Sequence, residues 1–416
     1  MRPNYEAIWS RLGSYSFEQL YERANQYGRF FLSLGVKPGD LVALMMTNSP
    51  DFLMAWVGLW SVGAAPALIN YNLGSGALVH CLKISTATLI FADGGSDMFT
   101  RLEEVRSDLD AGGYKVVRLD DVRRTIENLS TERTPDALRE PVKGNWPFGL
   151  FYTSGTTGMP KACLLPVVAG FRHGVGSELG TNPVDRPDDR YYVCMPYYHG
   201  TGGINAMAQL MNGITVCVAP KFSVSRFWDD IRDSRATWFV YVGETLRYLL
   251  AAPESPRDKD HNVRCIYGNG LRPDVWKRFR DRFGIEKVIE FFNSTEGMLP
   301  LENPARGDFL ANAVGHHGIL LRRKYHELYV PVAVDVDTGD LARDPKTGFA
   351  YRVPYSQGGE ILVKYPGERT FPGYFNNPEA TEKKFVRDVF ETGDCYYRTG
   401  DALKRDDHGR WYFMDR

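Results

Sequence analysis

The sequence predicts an α/β protein with mainly parallel sheets, completed by a smaller antiparallel β region. Two observations predict it. From Ser16 to about Leu250, apolar strand-like runs alternate with helical patterns. After Pro300 the texture changes to short alternating runs broken by turns. A chain of 416 residues that is 43% hydrophobic can bury a large core, and its length suits two or three packed units.

Taken in order, YSFEQLYERANQYGRFFLSLG opens with a Ser16-x-x-Gln19 cap and closes at Gly35, as an amphipathic helix should. LVALMM and TLIFAD read as buried strands. Residues 52–69 carry no charge over a length that approaches a membrane span, but Gly63 and Pro66 cut it. Its first half therefore reads as a buried helix and its second as the entry to a strand. Between Asp93 and Trp146 the chain turns charged and loop-prone and reads as a surface excursion. NWPFGLFYT reads as a strand, and the glycines that follow it end that strand. Toward the C-terminal end, HELYVPVAVDV, TGD, RDPKTGFAYRV and GGEILVKY predict antiparallel strands in a small barrel or sheet. Asp335, Asp337 and Asp340 lack the glycine placement and the bidentate Glu of a calcium loop, so they read as a solvated hairpin. The expected division is 1–300 as the α/β core and 301–416 as the antiparallel part.

Composition excludes some functions. Fifty Lys and Arg balance 51 Asp and Glu, a net charge of -1, which gives no basic footprint for nucleic acid. Six well-separated cysteines form no metal-ligand spacing and read as reduced thiols of an intracellular protein. No signal-peptide core, peroxisomal tripeptide or prenylation box is visible.

The chemistry concentrates in YTSGTTGMPK, residues 152–161. Gly155 and Gly158 permit positive φ and close ligand approach, while Thr153, Ser154, Thr156 and Thr157 supply hydroxyl donors and Lys161 a charge. That set suits an anion, above all phosphate. It is not the nucleotide-binding P-loop, which needs GxxxxGK[ST] opening into a helix; here the glycines are three apart and Pro160 precedes the lysine.

The same string resembles the phosphate loop of the acyl-adenylate-forming superfamily, the acyl-CoA synthetases, peptide-synthetase adenylation domains and luciferases. The resemblance continues in order through YSFEQL, LWSVGAAPALIN, MPYYHGTGG, NSTEG and YRTGD. YVGETLRYLL, the stretch DKDHNVRCIYGNGLRPDVWKRFRDRFG and FPGYFNNPEATEKKFVRDVFETGDCYYRTGD are similar to the fatty acid transport protein and very-long-chain acyl-CoA synthetase branch in a fungal style.

The resemblance implies a large domain of two mainly parallel sheets with a β-barrel-like subdomain, and a two-step reaction. A carboxylate attacks ATP to give an acyl-adenylate and pyrophosphate, and coenzyme A then displaces AMP. It implies that Thr153, Ser154, Gly155, Thr156, Thr157, Gly158 and Lys161 cradle the β- and γ-phosphates. Thr295 would meet the α-phosphate and Glu296 would hold Mg²⁺, a hard cation that prefers oxygen. Adenine would lie against Gly268, Asn269 and Gly270 and stack on Phe292, beside Asn293, where the family more often has tyrosine and glycine. Asp401 and Arg416 would reach the ribose, and His199 would sit near the acyl carboxylate and the thioester channel. Tyr241, Val242, Gly243 and Glu244 would contribute to the acyl pocket. Peptide-synthetase relatives carry an aspartate in the segment that here reads MPYYHGTGG; its absence favours a plain carboxylic acid with an apolar chain over an amino acid, and the resemblance to the transport-protein branch implies a long- or very-long-chain fatty acid.

The sequence stops where the family's hinge to a small C-terminal domain begins, and its N-terminal side is short. Three readings stay open: an acyl-activating enzyme, an impaired module that binds ATP and acyl groups, and a membrane-associated fatty acid uptake factor. Acyl activation in a polyketide or lipopeptide pathway is a fourth. The expected location is cytoplasmic without a transmembrane helix, with peripheral attachment to the endoplasmic reticulum, peroxisomal or plasma membrane left open.

Overall fold

The computed structural model describes residues 2–94, 97–153, 158–175, 186, 188–335, 337–365 and 371–415. The chain divides into two compact units, residues 1–240 with 260–263, and residues 241–259 with 264–416.

The first unit contains β1 (Glu6–Ser10), β2 (Gly13–Ser16), β3 (Leu41–Met45), β4 (Ala65–Leu68), β5 (Leu89–Ala92), β6 (Lys115–Arg118), β7 (Pro147–Thr153), β8 (Lys161–Pro166), β9 (Arg190–Val193) and β10 (Thr215–Val218). The chain leaves this unit within β11 (Trp238–Val242). One sheet has the order β6-β5-β3-β4-β7-β8, parallel apart from the β7–β8 hairpin. In the other, β11, β9, β10 and β1 run parallel and β2 pairs antiparallel with β1. Burial of every residue of β3, β4 and β5 explains their unbroken apolar sequences, since a parallel sheet covered by helices has no wet face.

The helices follow their local signals. Ser16 and Gln19 form a reciprocal capping box at the start of Phe17–Ser33, and the chain turns at Gly35 with φ +90°. The uncharged stretch 52–69 resolves into the helix Pro50–Ser61, capped by Ser49, and then β4. Among the described residues no helix is long and apolar enough to cross a membrane.

The stretch 93–146 is more regular than a loop-prone excursion. Its strand β6 pairs with β5, and the helices Met98–Glu104, Arg106–Ala111 and Leu119–Glu127 bury Met98, Leu102, Leu109, Leu119 and Ile126. Those apolar positions are sparse among charges, so average composition concealed a helical spacing.

In the second unit, β12 (Cys265–Asn269) and β13 (Lys287–Phe292) are parallel across the helix Pro273–Phe283. Pairing then becomes antiparallel at β14 (Leu301–Arg306). The remaining strands are β15 (Gly315–His316), β16 (Tyr329–Val332), β17 (Gly359–Lys364), β18 (Phe385–Arg387), β19 (Cys395–Arg405) and β20 (Arg410–Asp415). They form an antiparallel sheet in the order β15-β20-β19-β17-β16, with β18 on β19. Val330, Val332, Leu341, Leu362, Val389 and Tyr396 are its core. The division by compactness runs through β11, whereas the change of texture at Pro300 marks where pairing turns antiparallel.

Candidate functional site

The predicted phosphate loop is the connection of the β7–β8 hairpin. Thr153 and Lys161 are directly paired in the register, so the two strand ends on either side of this segment lie side by side. The strand ends are pinned: the Tyr152 hydroxyl donates to the Cys81 carbonyl at 3.0 Å, and His80 Nε2 lies 3.0 Å from the Pro160 carbonyl. Gly158 does not adopt positive φ, so its glycine-specific freedom is not used there. Among the described residues, none comes within 4 Å of a Cβ built on it. Ser154, Gly155, Thr156 and Thr157 lie outside the described residues, as does Arg416.

His199 belongs to the same unit. It caps the helix Gly200–Met211, with Nδ1 accepting from the Thr201 N–H at 3.3 Å. That bond leaves the neutral ring's proton on Nε2. The side chain keeps access to solvent, yet crowding by protein atoms lowers its pKa below the usual histidine value. Buried Asn48 holds the preceding segment by donating to the Met195 carbonyl at 2.8 Å and accepting from the Tyr197 N–H at 2.9 Å.

In the second unit, the predicted adenine and acyl segments are brought together by a residue that sequence reasoning missed. Glu290 on β13 is buried, accepts the Leu271 N–H at 3.0 Å and meets the Tyr241 hydroxyl at 2.5 Å. Burial pushes its pKa from an ordinary 4.5 up to about 8, so at neutral pH its uncharged form prevails. A neutral Glu290 can donate to the Tyr241 oxygen, which in turn faces the Ile289 carbonyl at 3.4 Å. A signal was available: an acid inside the apolar run KVIEFF needs a buried partner.

This contact sits where two backbones nearly touch. A Cβ on Gly243 would lie 1.7 Å from the Gly270 carbonyl oxygen, and one on Gly268 would lie 2.3 Å from the Tyr241 carbonyl oxygen. These glycines therefore serve close packing within the protein. Tyr241 is fully buried and Glu244 pairs with Arg247 at 2.5 Å, while Val242 keeps solvent exposure. Beside them, Oδ1 of Asn269 is buried and has no hydrogen-bond partner among the described residues. An orphaned acceptor of this kind fits a ligand N–H such as an adenine amine.

Phe292 ends β13 with its ring 5.8 Å from that of Phe413. Asn293 folds onto the backbone, its Oδ1 accepting from the Ser294 N–H at 3.0 Å. Thr295 is exposed, and Glu296 Oε1 accepts from the Tyr374 hydroxyl at 2.6 Å, which orients the carboxylate. Among the described residues no three His, Cys, Asp or Glu side chains are grouped to hold a metal. A cation at Glu296 would thus take most ligands from water and phosphate, the habit of Mg²⁺.

Asp401 is buried on β19, its N–H donating to Thr399 Oγ1 at 3.1 Å. The YRTGD turn around it is braced by Glu360, which takes Arg398 Nη2 at 2.5 Å, Arg398 Nε at 3.1 Å and the Gly400 N–H at 3.1 Å. That bidentate pair raises the Arg398 pKa. Glu360 and Tyr374 also escaped sequence reasoning, because what marks them is contact across strands or loops.

Among the described residues the cysteines form no disulfide, and five are buried. Burial pushes the Cys81 and Cys217 thiols up to about 12, which suits packing rather than nucleophilic chemistry.

Comparison with known proteins gives these segments a common context. A match to the AMP-binding enzyme family covers residues 1–375. Isopenicillin N epimerase component 1 of Hapsidospora chrysogena is 49% identical over 98% of this chain and 62% of its own length. A very long-chain fatty acid transport protein of Cochliobolus heterostrophus is 35% identical over 97% of the chain and 62% of its own length. A medium/long-chain-fatty-acid–CoA ligase of Mycobacterium tuberculosis is 34% identical, with coverage of 94% and 63%. The chain thus spans about three fifths of the length of these curated relatives.

Among solved structures, ATP-bound MatB from Rhodopseudomonas palustris superposes with a TM-score of 0.76 at 23% identity, covering 100% of this chain and 76% of that one. The N-terminal domain of FACL13 from Mycobacterium tuberculosis gives 0.72 at 21% identity, covering 99% and 96%. At such identities these two speak to the fold alone. The ordered motifs, the mixed α/β fold and the family match over residues 1–375 agree: this chain belongs to the AMP-binding enzyme family.

Proposed function

We propose that this chain carries the nucleotide and acid sites of an AMP-forming acid–thiol ligase that activates a long- or very-long-chain fatty acid with ATP and transfers it to coenzyme A. The observation that carries the proposal is the β7–β8 hairpin, which pairs Thr153 with Lys161 on either side of a segment rich in hydroxyl residues, with no described residue within 4 Å of a Cβ built on Gly158. The relatives named as fatty acid transport proteins and as a fatty-acid–CoA ligase supply the substrate class.

In this reading Lys161, Thr153 and the loop between them hold the β- and γ-phosphates, and Thr295 meets the α-phosphate. Glu296, oriented by Tyr374, holds Mg²⁺, which when bound neutralises phosphate charge. Asn269 accepts the adenine amine through its orphaned Oδ1, Phe292 offers a stacking face, and Asp401 accepts from the ribose hydroxyls. Ser154, Gly155, Thr156, Thr157 and Arg416 complete the set as expectations from sequence. The fatty acid carboxylate attacks the α-phosphorus and pyrophosphate departs. The coenzyme A thiolate then attacks the acyl carbon and AMP departs. Neither step needs a protein nucleophile; fixed donors stabilise developing charge. His199, with its lowered pKa and its Nε2 proton, donates a hydrogen bond to the acyl carboxylate as a neutral ring. Val242 contributes an apolar contact to the acyl chain. A cytoplasmic location with peripheral attachment to a membrane belongs to the same reading, since the acids concerned partition into lipid.

The 49% identity to isopenicillin N epimerase component 1 favours a second reading, in which the same chemistry activates the carboxyl group of a secondary metabolite. Thioester formation from a panel of acids, followed by mass spectrometry, separates the two. Acyl-CoA from long-chain fatty acids supports the first reading. Thioester only from polyketide, lipopeptide or peptide-derived acids supports the second, and the absence of both thioester and acid-dependent ATP–pyrophosphate exchange with every acid removes both.

A further inference from the structure

The helix Ile319–Tyr325 has no buried residue, although its sequence is ILLRRKY. Ile319 is 70% exposed, Leu320 77% and Leu321 42%. Three consecutive exposed aliphatic side chains are uncommon on a protein surface unless something covers them. Three cations follow at once, Arg322, Arg323 and Lys324.

This tip is not a frayed end. It stands on a rigid root: the His317 N–H donates to the Gly409 carbonyl at 2.8 Å, and Trp411 Nε1 donates to His317 Nδ1 at 3.1 Å. The His317 ring stacks on Tyr325 at 5.0 Å, and Tyr325 stacks on Tyr329 at 5.0 Å. Arg322 bonds the Asp407 carbonyl, which ties the helix to the β19–β20 turn. Exposed Phe309 packs edge-on against His316 and His408 beside the root.

The electrostatics are one-sided. From His316 to His326 the chain carries cations and histidines and no acid. Of the acids around the root, Glu327 pairs with Arg352 at 3.2 Å, Asp406 with Arg410 at 2.7 Å and Asp308 with Arg280 at 3.5 Å, and Asp407 stands at the turn.

We propose that Ile319–Tyr325 is a docking finger for an anionic lipid surface. Ile319, Leu320 and Leu321 enter the boundary between headgroups and acyl chains, while Arg323 and Lys324 stay at the level of the lipid phosphates. Charge complementarity selects lipid over a second copy of the chain, whose matching patch would be equally cationic. A single turn of aliphatic residues is a shallow anchor, so binding is reversible and depends on anionic lipid. This inference rests on the membrane-attachment part of the proposed function and not on its chemistry.

Co-sedimentation of the whole chain with vesicles of pure phosphatidylcholine, or of phosphatidylcholine with added phosphatidylserine, tests it. The expected result is about tenfold tighter binding to the anionic vesicles, abolished by high salt. Leu320→Glu, and separately Arg323→Glu with Lys324→Glu, should each lower that binding about tenfold. Their melting temperature and their thioester formation from detergent-free soluble acid should not change. If the wild-type chain ignores anionic vesicles, membrane attachment through lipid falls altogether. If it binds and the variants bind equally, the finger is wrong while attachment elsewhere stands. Self-association of the wild-type chain in sedimentation velocity, lost in Leu320→Glu, would make a second copy the occupant and overturn the lipid proposal.

Discussion

The β7–β8 hairpin and the Tyr241–Glu290 contact both rest on glycines in predicted binding motifs, but they use them in opposite ways. No described residue comes within 4 Å of a Cβ built on Gly158, while at Gly243 and Gly268 the missing Cβ position is taken up by another segment's carbonyl. In the proposed function the first glycine leaves room for a ligand, and the other two let the protein close on itself. A glycine-rich motif in sequence does not distinguish these uses; the nearest atom does.

The largest effect expected from that contrast is structural. Gly243→Ala or Gly268→Ala should destabilise the fold by about 3 kcal/mol, because the added carbon meets backbone that cannot rotate away. Thermal melts check this, and a melting temperature equal to wild type for both would refute the packing role. Glu290→Ala comes next, at about 2 kcal/mol, since it removes the acceptor of the buried Leu271 N–H and leaves the Tyr241 hydroxyl only the Ile289 carbonyl at 3.4 Å.

Glu290 also gives the contrast a pH dependence. Its folded pKa of about 8 lies above the ordinary 4.5, so the folded state binds the proton more tightly than the unfolded state. Stability from this group is therefore complete below about 4.5 and is lost as pH rises toward about 8. Glu290→Gln, which keeps an acceptor and a donor without a charge, should flatten that part of the denaturation profile. An unchanged slope would show that Glu290 does not titrate across this range. Smallest in stability is Gly158→Ala, expected within about 0.5 kcal/mol of wild type. It should nonetheless weaken ATP binding, measured by calorimetry, if the space above it belongs to phosphate.

Much of this was legible before the structure. The capping box at Ser16, the buried helix before β4 and the antiparallel pairing after Pro300 all come from local patterns that local physics satisfies. The three helices of 98–127 were hidden because a few apolar residues at helical spacing are enough once a strand edge is nearby. In the site, the motifs supplied the candidate residues for facing a ligand. The residues that hold them, Glu290 on the Leu271 N–H, Tyr374 on Glu296 and Glu360 on Arg398, are distant in sequence and defined only by contact. Gly243 and Gly268 were read as ligand-facing and turn out to face other backbone.

The central claim is that the hairpin ending at Lys161 holds ATP for attack by a fatty acid carboxylate. ATP–pyrophosphate exchange tests it most directly, run with and without a long-chain fatty acid and Mg²⁺, on the wild-type chain and on Lys161→Ala. Exchange that requires both acid and Mg²⁺ and falls at least about tenfold in Lys161→Ala is the predicted result. Exchange that ignores the acid, or that survives the loss of Lys161 unchanged, would contradict it.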